Sequence, residues 1–504
     1  MSIKRRIIFG IASGWGSKAI SILLNLVQIP LLYRYLPVEM VGVWFLMIGA
    51  QMVVGLFDLG FGQTLQRRIA FAKGTCGSDP DIKLSAAAGQ EISDLLALAR
   101  RVYWILTVLV APVLVLGGML YFSRLGLAPA TMPGLQKAWI IMAIGYAANM
   151  WAWYVEATLN GLGDLGWSSL ITGIIRTFEF LAIWLALALG YGLCLLALIW
   201  VSRGILTRIA GWLVIRFRHP WLASQKGHCR PQEFRSMISP ALQWWLAVVS
   251  YFFLAVISRY LIAAIMGASY VPDYVAAYTA LVTVQGTLLN IVTIALPLFS
   301  QKWQAGRIDE MQRLILGLMR LSLGLLMVAY VFICIYAKDI FELWLGVGHF
   351  VGYPVLIVMA VTMLIDAHQG MLMTICIAAE RLQFYKATLL GGIISLPLSF
   401  CLIKSYGILG AVLAILVAGL LTQNWVIPWI SLKLLRLNFV TILTKLITPS
   451  LLLGLAVGIL GILIKSFALK PLVGLPLYAI CTVLILGCAM YKRISSNVVY
   501  LFKR

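Results

Sequence analysis

The chain has 504 residues, 62% of them hydrophobic and 11% charged, against about 45–50% and about 25% in a soluble domain. That composition excludes a soluble globular protein and implies a polytopic membrane protein. The net charge of +22 fits a basic cytoplasmic membrane edge, because no aromatic-interleaved basic module of a nucleic-acid binder is present.

Taken in order, the apolar runs predict an all-α membrane protein of about 14 transmembrane helices: 7–33, 40–63, 102–122, 138–158, 169–189, 191–214, 239–266, 275–299, 314–336, 353–377, 387–403, 408–430, 446–464 and 473–491. The opening "MSIKRR" is basic, but the run behind it is long and lacks a small-residue cleavage site, so it reads as a first spanning helix. Basic clusters recur on alternate connections: Lys4-Arg5-Arg6, Arg67-Arg68, Arg100-Arg101, Arg216 to Arg235, Lys302 to Arg313, Lys433 with Arg436, and Lys492-Arg493. Most of the 39 Lys and Arg residues fall on these segments, which predicts both termini in the cytoplasm. The long polar connections 64–101 and 215–238 are then cytoplasmic, and 81–101, acidic early and basic late, suits a helix on or near the membrane surface. The outward loops are all short.

The eight cysteines, Cys76, Cys194, Cys229, Cys334, Cys376, Cys401, Cys481 and Cys488, form no CxxC. Most sit in apolar runs and read as small buried hydrophobes, with no disulfide, zinc or other metal framework. There is no P-loop, and no paired-carboxylate or serine-nucleophile constellation stands out; an enzyme and a bound cofactor are not expected.

The chain also repeats itself. "ATLNGLGDLGWSSLITGIIRTF" at 157–178 parallels "ICIAAERLQFYKATLLGGIISL" at 375–396, and "YGLCLLAL" from Tyr191 parallels "YGILGAVLAIL" from Tyr406. The expected organisation is a six-helix lobe over 1–215, a cytoplasmic linker over 216–238, a second six-helix lobe over 239–432, and two extra helices with a basic tail over 433–504. Repeats of this size are a common build for secondary transporters.

The first two spans read "GWGSKAISILLNLVQIPLLYRYLPVEMVGVWFLM" and then "LFDLGFGQTLQRRIA". The Gln-Ile-Pro-Leu-Leu of Gln28 to Leu32, the Val-Gly-Val-Trp of Val41 to Trp44 and the Asp-Leu-Gly-Phe of Asp58 to Phe61 resemble Wzx-like polysaccharide flippases of the multidrug/oligosaccharidyl-lipid/polysaccharide exporter superfamily. "LNGLGD", Leu159 to Asp164, and "AAERLQFYK", Ala378 to Lys386, look like further family positions. The resemblance implies alternating access by two six-helix lobes around a central cavity. It also implies a cargo, an isoprenoid-pyrophosphate-linked oligosaccharide, carried from the inner to the outer leaflet of a bacterial inner membrane. Membrane lipids, a polysaccharide polymerase and glycosyltransferases are the implied partners. On this resemblance Asp58, Gly60 and Gly62 sit at the inner mouth of the first lobe; the other reading pairs Asp58 with Arg67 or Arg68 at the interface.

Charges inside spans are expensive and usually face a cavity or a partner. Lys18 has eleven uncharged residues before it and fifteen after, and Arg259 follows twenty-three. No acid stands in either span, and a diphosphate cargo gives both a role as anion contacts. Arg176 is a third candidate, although Glu179 one turn on is placed to neutralise it. Asn25, Gln28, Trp244 and Tyr251 are candidates for sugar contact, with Trp15, Gln243, Trp245, Gln285 and Asn290 near them; an interfacial belt is the other reading of the tryptophans. Asp58, Glu156 and Asp366 are the candidates for ion coupling or gating; the other reading of Glu156 is that it simply reaches the inner interface. His368 reads as a packing histidine and Arg320 as a snorkelling one. Two competing functions remain: a cation-coupled drug or small-solute exporter of the same superfamily, for which acids rather than Lys18 are expected in the first lobe, and a membrane polymerase or glycosyltransferase, for which the outward loops are too short.

Overall fold

Hydrocarbon offers no partner to a backbone N–H or C=O, so a chain this apolar satisfies both within helices. The computed structural model describes residues 3–76, 84–129, 131–224, 227–229, 231–379, 381, 384–467, 474 and 476–482, and among them there is helix and no strand. It forms two compact units, Met1–Pro272 and Asp273–Arg504.

The first unit holds α1 (Ile3–Tyr35), α2 (Val38–Leu56), α3 (Phe61–Gly74), α4 (Ala86–Ser123), α5 (Met132–Trp151), α6 (Trp153–Gly161), α7 (Leu165–Ala188), α8 (Leu193–Arg218), α9 (Trp221–Ser224), α10 (Pro231–Tyr251) and α11 (Ile257–Met266). The second holds α12 (Val271–Thr293), α13 (Leu296–Gln304), α14 (Ile308–Ile335), α15 (Ala337–Leu345), α16 (Tyr353–Ala378), α17 (Tyr385–Tyr406), α18 (Ile408–Leu421), α19 (Gln423–Leu435), α20 (Phe439–Ile442) and α21 (Thr448–Ser466); α12 begins two residues before the division.

Twelve of the described helical stretches are long and apolar enough to cross a membrane. The expected span 138–158 is not among them: it is broken at Ala152 into α5 and α6. The expected span 473–491 falls for the most part outside the described residues.

Two expectations change in detail. The second span ends at Leu56, short of residue 63, because Leu59 and Gly60 both take the left-handed conformation, with φ of 52° and 73°. Few side chains tolerate that region, and the chain turns there to start α3. The segment 81–101, expected as a separate surface helix, is from Ala86 onward the first half of α4, which runs unbroken for 38 residues. Ser85 caps it by accepting from the Ala88 N–H at 3.2 Å, and its apolar face is buried at Ile92, Leu95, Leu96 and Ala99.

Small residues set how closely the helices approach. In the first unit α1 and α7 run side by side in the same direction: Phe9 meets Trp167, Gly14 lies against Ser169, and a Cβ on Gly173 would come within 3.0 Å of the Ser17 hydroxyl. The seventh span packs on α2, with Tyr260 donating to the Leu46 carbonyl at 3.0 Å and Trp245 to that of Leu56 at 2.6 Å. In the second unit one core joins α13, α14, α16 and α19 through Phe299, Met319, Leu372 and Leu435. The α17–α18 hairpin closes on Gly410, where a Cβ would lie 2.0 Å from the Leu402 carbonyl oxygen. Gly410→Ala is therefore expected to force the hairpin open and sharply lower the yield of monodisperse protein. Gly407→Ala, at a φ of 60° and a ψ of −138° that favour glycine, is expected to cost about 1–3 kcal/mol through backbone strain alone; size-exclusion profiles normalised to expression decide, and a Gly410→Ala yield equal to wild type would contradict the close approach.

Candidate functional site

The polar centre of the first unit grows out of the α1–α7 contact. One turn beyond Gly173, α7 carries Arg176. Its guanidinium donates to the Gln28 side-chain oxygen at 2.8 Å and to that of Asn25, both on α1. It also meets the Glu179 carboxylate at 2.5 Å on its own helix. Arg203 on α8 approaches the same carboxylate oxygen at 3.5 Å, and its guanidinium lies 4.0 Å from the centre of the Trp200 ring. Trp200 in turn meets the edge of Trp44 on α2, at 6.2 Å between ring centres. Arg176, Glu179 and Gln28 are all buried.

Three of the residues proposed from sequence for substrate contact, Arg176, Asn25 and Gln28, are thus brought together. Arg176 and Glu179 do neutralise each other, as their spacing suggests. Arg203 has no signal in the sequence, since the acid it approaches stands on another helix. The group holds two guanidiniums and one carboxylate, a formal excess of one positive charge inside the span region.

Lys18 lies half-buried on α1, two turns before Asn25 and on the same face. Arg259 lies on α11 against Gly49 of α2, where a Cβ would come within 3.3 Å of its guanidinium. Its Nε is buried with no hydrogen-bond partner, and it makes no ion pair with any described residue. Tyr251 ends α10 and is exposed; the side chain of Trp244 lies outside the described residues. Trp245 and Gln285 are taken up in structure, by the Leu56 carbonyl and by the Met363 carbonyl at 2.8 Å.

The three candidate carboxylates differ. Asp58 does not pair with Arg67 or Arg68. It accepts from the Tyr103 hydroxyl at 2.7 Å and the Gly62 N–H at 3.2 Å, which fastens the α2–α3 turn to α4. Arg68 donates instead to Ser236 at 2.8 Å, and Arg67 lies over the Phe71 ring. Burial pushes the Asp58 carboxyl up, against the downward pull of these two hydrogen bonds. Glu156 pairs with Arg208 at 2.5 Å across α6 and α8. Asp366 on α16 makes no hydrogen bond or ion pair with any described residue, and two residues on the His368 Nε2 is buried without a partner. Arg320 reaches the Lys445 carbonyl at 2.9 Å. A further anchor is the buried Asp164 of "LNGLGD", which meets Arg218 at 3.1 Å and His219 at 2.7 Å. Among the described residues no cluster of His, Cys, Asp or Glu suits a metal ion.

The sequence from residue 10 to 303 matches the family described as polysaccharide biosynthesis protein. The chain belongs to that family. No curated protein matches it by sequence. In fold it is similar to the lipid II flippase MurJ in an inward closed conformation, with a TM-score of 0.67, 13% identity, and 97% of this chain and 100% of that one covered. It is also similar to an inward-facing multidrug resistance MATE family transporter of the MOP superfamily, with a TM-score of 0.68, 12% identity, and 82% and 94% covered. A third likeness is to a MOP superfamily transporter from Pyrococcus furiosus, reported for the reverse polarity of its binding pocket, with a TM-score of 0.58, 12% identity, and 86% and 97% covered. The protein is a multi-pass membrane protein with the fold of these transporters.

Removing one partner of a buried ion pair strands the other, at about 3–5 kcal/mol. Arg176→Met is expected to lose stability on that scale. Arg176→Lys is expected to lose less, since it keeps the charge but cannot fork to three acceptors. Heating solubilised protein and measuring what remains monodisperse checks the order, wild type above Lys above Met; equal midpoints would show that the three bonds add nothing to stability.

Proposed function

We propose that the chain flips an isoprenoid-pyrophosphate-linked oligosaccharide, the repeat unit of a surface polysaccharide, across the bacterial inner membrane by alternating access. Both termini face the cytoplasm, and the six-span halves 1–215 and 239–432 are the moving parts, linked by 216–238 and followed by 433–504. Glycosyltransferases act before it and a polymerase after it, and the chain catalyses no covalent step. Arg259 carries this reading: a half-buried guanidinium within a span, its Nε enclosed and unpartnered. Such a group is costly in hydrocarbon and is compensated by a phosphate oxygen. Lys18 serves as a second anion contact. Arg176 orients Asn25 and Gln28, which with Trp244 and Tyr251 meet the sugars. The family match and the likeness to a lipid II flippase support a lipid-linked cargo.

The experiment is delivery of lipid-linked oligosaccharide to the outer leaflet, normalised to protein level. Arg259→Gln and Lys18→Gln are expected to slow it at least tenfold, the loss of about 1.4 kcal/mol of transition-state stabilisation, and Lys18→Arg to keep part of the activity because the charge survives. Near wild-type delivery by both Gln variants would sink the cargo assignment.

Asp366 is the coupling carboxylate, since Asp58 fastens a turn and Glu156 is paired with Arg208. Asp366→Asn is expected to leave cargo binding intact while delivery stops responding to an imposed proton or sodium gradient; an unchanged response removes Asp366 from the mechanism. The likeness to a multidrug transporter keeps one second reading, a cation-coupled exporter, which predicts binding of organic cations in place of lipid diphosphates.

A further inference from the structure

The buried group on α1, α7 and α8 is uneven in a way that a purely structural ion pair does not require. Glu179 offers one carboxylate oxygen to two guanidiniums, while its other oxygen, Oε1, is buried with no partner. Arg176 is held from three sides, by Glu179, Asn25 and Gln28, and its side chain is 7% exposed. Arg203 is held loosely. Its contact with Glu179 is 3.5 Å, longer than a hydrogen bond of good geometry, and its side chain is 23% exposed. The Trp200 ring, one turn before it on α8, offers the guanidinium a π face at 4.0 Å.

We propose that Glu179 is an internal counter-anion and Arg203 a movable anion contact for the cargo diphosphate. The proposal rests on the flippase reading above. In the empty protein Glu179 is shared between the two guanidiniums. When the diphosphate enters, Arg203 leaves Glu179 for a phosphate oxygen, and Arg176 alone keeps Glu179 neutralised. When the diphosphate departs, Glu179 recovers Arg203. Exchanging one ion pair for another spares the guanidinium from ever standing bare in a medium of low dielectric. Competition from Glu179 also limits how tightly the diphosphate is held, so that it is released on the far side. Arg176 is on this view a positioning residue, which keeps the Glu179 carboxylate where Arg203 can return to it.

The test uses the full chain in lipid nanodiscs, with a long-chain polyprenyl diphosphate lacking sugar as the binding probe, and vesicles for the rate of oligosaccharide transfer. Glu179→Gln keeps the shape and removes the competing charge. It is expected to bind the probe about tenfold more tightly, a change of about 1.4 kcal/mol, while transfer at saturating cargo slows. Arg203→Gln is expected to bind about tenfold more weakly. Should Glu179→Gln fold poorly, Glu179→Asp shortens the carboxylate's reach and is expected to tighten binding by a smaller factor. A structural ion pair predicts the reverse sign: binding by Glu179→Gln or Glu179→Asp that equals or falls below wild type overturns the proposal. Wild-type protein that binds no polyprenyl diphosphate removes the cargo reading itself, and this proposal with it.

Discussion

Hydrocarbon gives a charged or polar group nothing to bind, and the architecture of the first unit follows from that. Arg176 cannot be solvated at its depth, so it takes acceptors from α1 and a carboxylate from its own turn. To reach them, α1 and α7 must lie close, and close approach needs Gly14, Ser17, Ser169 and Gly173 along the seam. Arg203 draws α8 into the same group, and Trp200 brings in α2 through Trp44. A guanidinium that water cannot reach thus accounts for much of the way four spans of the unit are arranged. Tyr146 of α5, donating to the Met47 carbonyl at 3.1 Å, completes the ring.

What the sequence makes legible is what a single helix can express. The spans are plain because twenty apolar residues in a row have few other uses. The Arg176–Glu179 pair is visible because one turn separates its members, and Asn25 and Gln28 stand out as polar positions in an apolar helix. Arg203 stays hidden because the acid that explains it is on α7. Likewise Glu156 and Arg208 are 52 residues apart in sequence, and neither announces the other. A reading confined to one helix assigns such residues to the interface or to substrate by default.

The α2–α3 break shows a different limit. The glycines of "DLGFG" suggest close helix packing, which holds for Gly62 beside Tyr103. The decisive feature is the positive φ of Leu59, a residue with no compositional reason to adopt it. It does so because Asp58 is held on one side by the α3 backbone and on the other by Tyr103 of α4. Local strain of about 1–3 kcal/mol is sustained there by contacts that only the folded chain supplies.

The parallel seam between α1 and α7 also bears on how the protein is made. The first helix is synthesised some 150 residues before Arg176, its partner at Asn25 and Gln28. Throughout that interval α1 waits in the bilayer with two amides unmatched. Arg176 then enters the membrane one turn from Glu179, as a nearly neutral pair, and Arg203 follows one hairpin later. Docking of the first helix is therefore a late event in biogenesis, and the window before it is when an insertase or chaperone has most to protect.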